Sequence, residues 1–260
     1  MAGDLNLFVT GSADGIGRET AATLTRMGHR VVAHARNPER AAHLRAVLPD
    51  AAAIVVGDLS SLDETIAVAE AARHQGPYDA VIHNAGVGGG VPQRRLTGDG
   101  LEYIFQVNVL APYLLTALME RPPRLVYLSS GLEAHGVVDL DDLQRGRRHW
   151  DGMAAYSDSK LCDVVLAFAV ARLWPEVHSN AVDPGWIRTR MGGPSAPDPL
   201  PLGAETPVWL ASSDEPEAAV SGCYLKRRRR LRANPQAYDR RIQDGLMGAC
   251  AHLTGVRFPA

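Results

Sequence analysis

A tyrosine and a lysine stand four residues apart in Tyr156-Ser157-Asp158-Ser159-Lys160. On a helix this spacing puts phenol and ammonium on one face, about 6 Å apart along the axis. A phenol with a reference pKa of about 10 is a poor acid-base group at neutral pH, and a neighbouring cation that favours phenolate would tune it for proton transfer. An exposed tyrosine and lysine on an amphipathic helix would show the same spacing. The strand-like run Leu125 to Leu128 ends in Ser129-Ser130-Gly131, where a hydroxyl can bond a substrate oxygen whose charge changes during reaction. Asn108 falls inside the helix pattern Tyr103 to Leu118, at a position that calls for an apolar or helix-forming residue. There it is expected to interrupt the backbone ladder and hold a water that links Lys160 to solvent.

A second constellation opens the chain. Thr10-Gly11-Ser12-Ala13-Asp14-Gly15-Ile16-Gly17 follows an apolar strand pattern and runs directly into a helix pattern. Glycines let the backbone turn tightly and approach a pyrophosphate, and the helix N-terminus supplies free N–H groups with partial positive charge. Strand, glycine turn and helix in this order point to a dinucleotide held by Gly11, Ser12, Ala13, Asp14, Gly15, Ile16 and Gly17. At the end of the next strand a carboxylate would favour a free ribose 2′-hydroxyl and an arginine a 2′-phosphate. The sequence there is Val31-Val32-Ala33-His34-Ala35-Arg36-Asn37, with no acid and a guanidinium suited to forked phosphate contact. NADP is therefore expected over NAD, although an exposed helix-start arginine would read the same. Two more strand ends are polar, Gly57-Asp58-Leu59 and Asn84-Ala85-Gly86: Asp58 and its neighbours are expected at an adenine edge, and Gly86 leaves room for a ribose.

Positioning these groups takes alternating strands and crossover helices. Short runs rich in Val, Ile and Leu mark strands at Leu5 to Val9, Arg30 to His34, Ala53 to Val56, Ala80 to His83, Leu125 to Leu128, Ser179 to Val182 and Cys223 to Leu225. Between them the patterns predict helices over Ile16 to Met27, Asn37 to Val47, Leu62 to Gln75, Gly100 to Glu120, Ala154 to Trp174 and Leu202 to Ser212. Gly28 is read as a helix C-terminal cap and Ser61 with Glu64 as a capping box. The expected fold is α/β: one Rossmann-like, doubly wound parallel sheet of about seven strands over residues 1–260, with helices on both faces and ligands at the carboxyl ends of the strands.

In this order, Thr10-Gly11-x-x-x-Gly15-Ile16-Gly17, Asn84-Ala85-Gly86, Asn108, Ser130, Tyr156-x-x-x-Lys160 and Pro184-Gly185 resemble the short-chain dehydrogenases/reductases, from Leu5 to about Leu225. The resemblance implies a catalytic tetrad of Asn108, Ser130, Tyr156 and Lys160. Tyr156 would act as acid-base, Ser130 would orient a carbonyl, Lys160 would also touch the nicotinamide ribose, and Asn108 would hold a relay water. Pro184, Gly185, Ile187 and Thr189 would meet the nicotinamide end. The stretch between Ser130 and Tyr156, with Asp141-Asp142-Leu143-Gln144, is similar to retinol-dehydrogenase-like and related bacterial members. Asp14 departs from the pattern, since NADP-preferring members often carry a basic residue there. Asp183 and the arginine-rich run Lys226 to Arg230 depart too.

The implied activity is hydride exchange between NADP and a carbonyl or alcohol carbon of a small, apolar substrate. Its pocket is expected to be walled by Gly88 to Pro92, Leu132 to His135, His149, Trp150 and a lid over 186–207 rich in proline and glycine. By the same analogy the helices beginning near Gly100 and Ala154 pair chains into a homodimer or homotetramer. A non-catalytic NADP-binding redox sensor of the same fold is the rival reading, though it would have no need of Tyr156 and Lys160 together. The net charge of -2 gives no reason to expect nucleic acid, and the basic run reads as a solvated loop. Cys162, Cys223 and Cys250 share no metal-ligand spacing and suit free thiols in a reducing interior, so no metal is expected. With no secretory signal and no apolar run long enough to span a membrane, the expected location is the cytoplasm.

Overall fold

The computed structural model describes residues 4–259. Among these residues eight strands and eight helices follow in the order β1 (Asn6–Val9), α1 (Gly15–Arg26), β2 (Arg30–Ala35), α2 (Pro38–Val47), β3 (Ala53–Val56), α3 (Leu62–Arg73), β4 (Ala80–His83), α4 (Tyr103–Phe105), α5 (Ala111–Leu118), β5 (Arg124–Leu128), α6 (Gly152–Leu173), β6 (His178–Val182), α7 (Leu200–Ser212), β7 (Tyr224–Lys226), β8 (Arg229–Leu231) and α8 (Arg240–Thr254). The strands lie in the order β3-β2-β1-β4-β5-β6-β7-β8. All neighbours are parallel except β7 and β8. Strand order reverses between β1 and β4, which opens a crevice at their carboxyl ends.

Continuous apolar runs make these strands because both faces of the sheet are covered. Successive side chains point to opposite faces. Phe8, Val32, Val81, Leu125 and Tyr127 therefore join the core beneath α3, α5, α6 and α8. Leu7, Val9, Val31, Ile82 and Val126 join the core beneath α1, α2 and α7. Capping follows the sequence in part. Gly28 sits just past α1 with φ +91, and Ser61 Oγ accepts the Glu64 N–H at 3.3 Å. The Glu64 carboxylate does not close a capping box; it accepts the Asp58 N–H at 2.8 Å and so fixes the loop after β3.

Three features depart from the expected elements. The basic run is turn and strand rather than a solvated loop: Arg227 and Arg228 take left-handed φ values of 48° and 59°, and Arg229 to Leu231 add β8 antiparallel to β7. Every residue of β8 is exposed, so no apolar alternation announced it, and its arginines guard a free sheet edge. Second, the segment expected to form a lid is a loop only through Pro199, because 200–207 is the first half of α7. Gly203 makes room there for Ile16 and the buried Ile187: a Cβ at 203 would lie 2.9 Å from Ile187 and 3.0 Å from Ile16. Third, α8 lay beyond the predicted elements. Gly245 and Gly248 weaken its helix propensity, yet Leu246, Met247 and Cys250 form a buried stripe.

The segment after α8 folds back on the chain. Phe258 packs on Trp174 and Tyr113, the Tyr113 hydroxyl donates to Val256 O at 2.8 Å, and Trp174 Nε1 donates to Pro259 O at 3.1 Å. The C-terminal segment thus packs on Tyr113 of α5 and on Trp174 at the end of α6. Cys162 and Cys250 are buried, Cys223 is half-buried, and all three are free. Among the described residues no helix is long and apolar enough to cross a membrane.

Candidate active site

A cleft of about 500 Å³ runs along the strand ends from Arg36 and Arg40 past the glycine turn to Tyr156 and Lys160. That size falls within the roughly 300–1,000 Å³ of small-molecule and cofactor sites. Gly11, Ala13, Asp14, Gly15, Ile16 and Gly17 line it, and so do Arg36, Asp58, Leu59, Asn84, Ala85 and Gly86. At the other end Tyr156, Lys160, Pro184 and Thr189 complete the wall. Ser12, Asn108, Ser130, Gly185 and Ile187 are not among the lining residues. Ser12 is buried with its hydroxyl donating to Val9 O at 2.6 Å, and Ile187 is buried under α7.

The glycine turn is held from behind by the loop after β4. Asn84 Nδ2 donates to Thr10 O at 2.9 Å and Gly11 O at 3.2 Å, while the Asn84 and Ala85 N–H groups both donate to Thr10 Oγ1 at 3.0 Å. A Cβ at position 17 would come within 2.2 Å of Asn84 Nδ2 and 2.4 Å of Gly11 O, so only glycine fits there. Asp14 caps α1 by accepting the Gly15 N–H at 2.8 Å. Its other oxygen meets Arg190 of the lid at 2.9 Å and Arg40 of α2 at 3.5 Å. Partial burial opposes ionisation of Asp14, but Gly15 N–H and the Arg190, Arg40 and Arg18 guanidiniums outweigh it and hold the carboxyl below its usual range. Arg36 is exposed on the cleft rim, and among the described residues no carboxylate lies within ion-pair distance of it. Asp58 turns one oxygen to the N–H and hydroxyl of Ser60, at 2.9 and 2.8 Å.

At the reacting end, α6 begins at Asp151, whose carboxylate caps Met153 and Ala154, and one turn later presents Tyr156 half-buried. Gly88 lies against the ring: a Cβ there would sit 2.2 Å from Tyr156 Cδ2, and φ is +143. Lys160 is buried, with Nζ 5.8 Å from the Tyr156 ring centre. Nζ donates to Leu128 O at 2.8 Å and to Asp163 Oδ2 at 2.7 Å. Burial lifts the Asp163 carboxyl to about 6 against the pull of Lys160. Burial also opposes the Lys160 charge, and Asp163 outweighs it, so the ammonium stays above the ordinary lysine range.

The two serines are separated by what holds them. Ser129 spends its proton on Lys160 O at 2.7 Å. Among the described residues Ser130 Oγ only accepts, from Leu132 N–H at 3.3 Å, while it is Ser129 that lines the cleft. Asn108 lies in a π-turn, Gln106–Leu110, between α4 and α5, so the regular ladder is broken there. Its amide is fully engaged: Oδ1 accepts Val87 N–H at 2.8 Å, and Nδ2 donates to Val87 O at 2.8 Å and Ser159 Oγ at 2.9 Å. The side chain clamps the loop carrying Gly86 and Gly88 to α6.

Sequence reasoning passed over several cleft residues: His34, Arg40, Tyr103 and Val107 in the wall, and Asp163 behind Lys160. Asp163 was legible in principle, since it lies three residues past Lys160 on one helix face. Of the expected pocket walls, Gly88, Thr189, Arg190 and Met191 reach the cleft. Trp150 instead donates to Val91 O at 3.1 Å and props the loop after β4.

Comparison with known proteins fits this geometry. The short chain dehydrogenase family model matches residues 6–199. An uncharacterized oxidoreductase of Emericella nidulans is 39% identical, covering 98% of this chain and 99% of its own. Human retinol dehydrogenase 14 is 33% identical, covering 96% of this chain and 86% of its own. A short chain dehydrogenase from Escherichia coli, solved in complex with NADPH, is 26% identical with a TM-score of 0.64, covering 86% of this chain and 96% of that one. The chain belongs to the short-chain dehydrogenase/reductase family and is an oxidoreductase of that kind.

Proposed function

We propose that this protein is an NADP-dependent carbonyl reductase or alcohol dehydrogenase acting on a small, apolar substrate, with Tyr156 as its acid-base. The observation that carries the reading is a single cleft joining Arg36, the glycine turn, Tyr156 and Lys160. The residues suit a dinucleotide: a turn that only glycine fits at position 17, a capped helix N-terminus, and a guanidinium free to take a 2′-phosphate. A structural relative holds NADPH, which supports the same choice. Bound there, the nicotinamide would supply or accept the hydride.

The chain's own groups do the rest. Tyr156 Oη gives a proton to the carbonyl oxygen during reduction, or takes one from the alcohol during oxidation. Lys160, held cationic by Asp163 and Leu128 O, favours the charged phenolate. Ser130, next to the lining Ser129 and with its hydroxyl proton unengaged among the described residues, would turn to donate to the substrate oxygen. Asn108 holds the Gly86–Gly88 loop in place, and a relay water falls to backbone groups opened by the π-turn rather than to its engaged amide. Exposed Trp186 and Met191 on the lid and exposed Met153 on α6 offer apolar surface to the substrate.

The test is NADPH oxidation against a panel of aldehydes and ketones, in wild type and Tyr156→Phe. Turnover by wild type that falls by about 10²–10⁴-fold in the phenylalanine variant, with NADPH affinity kept, is expected. Tight NADPH binding with no turnover by either protein favours the redox sensor.

A further inference from the structure

Among the cleft residues His34 is unusual in being almost wholly buried while both of its ring nitrogens are engaged. Gly11 N–H donates to His34 Nδ1 at 3.0 Å, and His34 Nε2 lies 2.9 Å from Gly57 O. A backbone N–H can only donate and a carbonyl can only accept. The pair therefore fixes one form of the ring, neutral, with the proton on Nε2. The backbone of the same residue makes two more bonds to the glycine turn: Ser12 N–H donates to His34 O at 2.9 Å, and His34 N–H donates to Ser12 Oγ at 3.3 Å.

Three loops meet at this one side chain. Gly11 opens the glycine turn after β1, Gly57 opens the Asp58 loop after β3, and Arg36 follows His34 by two residues after β2. β2 lies between β1 and β3 in the sheet, so a residue at its carboxyl end can reach both neighbours. Most side chains that could fill this space would meet only one partner, or none. An apolar residue would leave a Gly11 N–H and a Gly57 carbonyl without their ring partners at the rim of the cleft.

We infer that His34 is a positioning residue for the coenzyme: as a neutral imidazole it clasps the pyrophosphate turn to the adenine loop and sets Arg36 between them. The inference rests on the dinucleotide reading of the cleft. The ring does not touch the reacting atoms, so its effect falls on binding of the adenosine half.

Two measurements test it. In protein labelled with ¹⁵N-histidine and ¹⁵N-glycine, NMR near neutral pH is expected to show His34 protonated at Nε2 alone, a coupling across the Gly11 N–H to Nδ1 bond, and both resonances shifting on titration with 2′,5′-ADP. Separately, His34→Leu is expected to weaken 2′,5′-ADP and raise KM for NADPH by about tenfold, the scale of one unpaired buried group. The loss falls on KM far more than on kcat, and His34→Gln, which keeps an acceptor and a donor, recovers part of it. A proton on Nδ1, an imidazolium, or equal 2′,5′-ADP affinity in folded His34→Leu and wild type overturns the inference. If His34→Leu does not fold, the wild-type spectra decide, since nucleotide-insensitive Gly11 and His34 signals in a protein that binds 2′,5′-ADP also overturn it. A wild type that binds neither 2′,5′-ADP nor NADPH sinks the dinucleotide reading itself, and this inference with it.

Discussion

The two ends of the cleft are built differently. At the proposed coenzyme end the loops are held by backbone-directed bonds: Asn84 to Thr10 and Gly11, His34 to Gly11 and Gly57, and Glu64 of α3 to Asp58. At the proposed substrate end Met191 of the 186–199 loop lines the cleft, and Trp186 and Met153 stand exposed on that loop and on the first turn of α6. A coenzyme is the same molecule in every turnover, so its site can be fixed by main-chain geometry that few sequences satisfy. A substrate wall needs only apolar area of the right shape, and many sequences supply that.

The sharpest way to break this contrast is at Gly88, where the two ends meet. Gly88→Val would drive a branched side chain into Tyr156 from a backbone with φ +143. Turnover is expected to fall by about 10²-fold or more, the range for displaced acid-base groups, while NADPH still binds. Trp186→Ala on the lid is expected to alter KM for the carbonyl and leave KM for NADPH alone. If both changes disturbed coenzyme and substrate equally, the division of the cleft would be wrong.

Coenzyme choice sharpens the same contrast on a smaller scale. Arg36→Asp removes the guanidinium and sets a carboxylate where the proposed reading puts a 2′-phosphate. The ratio of kcat/KM for NADPH over NADH is expected to fall by about ten- to a hundredfold, as for loss of a charge-assisted contact. An unchanged ratio would move phosphate recognition to Arg40, which already shares Asp14 with Arg190.

Acid distinguishes the ends by sign. Burial lowers His34 below its usual 6.5 and pushes His83 to about 3. Asp58 pulls His34 the other way, too weakly to cancel burial. Both rings are neutral in the native chain, and the unfolded chain binds their protons first. Their contribution is therefore present above pH 6.5 and is lost as pH falls below it, towards about 3 for His83. Asp163 runs oppositely: its carboxyl is raised from 3.8 to about 6, so its contribution is full below 3.8 and lost as pH rises through about 6. Urea midpoints are expected to drop between pH 7 and 5 in wild type. They should drop more steeply in Asp163→Asn, which lacks the opposing group, and less in His83→Gln.

The same division explains what could be read beforehand. The order of strands and helices was legible because buried parallel strands demand unbroken apolar runs, and the coenzyme end because glycines at 11, 15 and 17 must follow a strand. The β8 strand escaped because Arg229 and Arg230 carry no buried side and its turn uses two arginines where Asn or Gly is the usual signal. Asn108 was singled out for breaking a helix, and the π-turn is there. The engagement of its amide with Val87 and Ser159 is a tertiary matter that spacing does not report. His34 and Asp163 were missed for a related reason. Each is a polar residue in an apolar setting whose partners come from other strands or from one helical turn away, so neither belongs to a contiguous motif.

A crystal structure with NADP bound tests the central claim most directly. The account predicts the 2′-phosphate at Arg36, the pyrophosphate over the α1 N-terminus, and the reactive ring carbon facing Tyr156 beside Lys160. Nucleotide lying elsewhere, or a ring turned away from the tyrosine with no space to reverse, would contradict it.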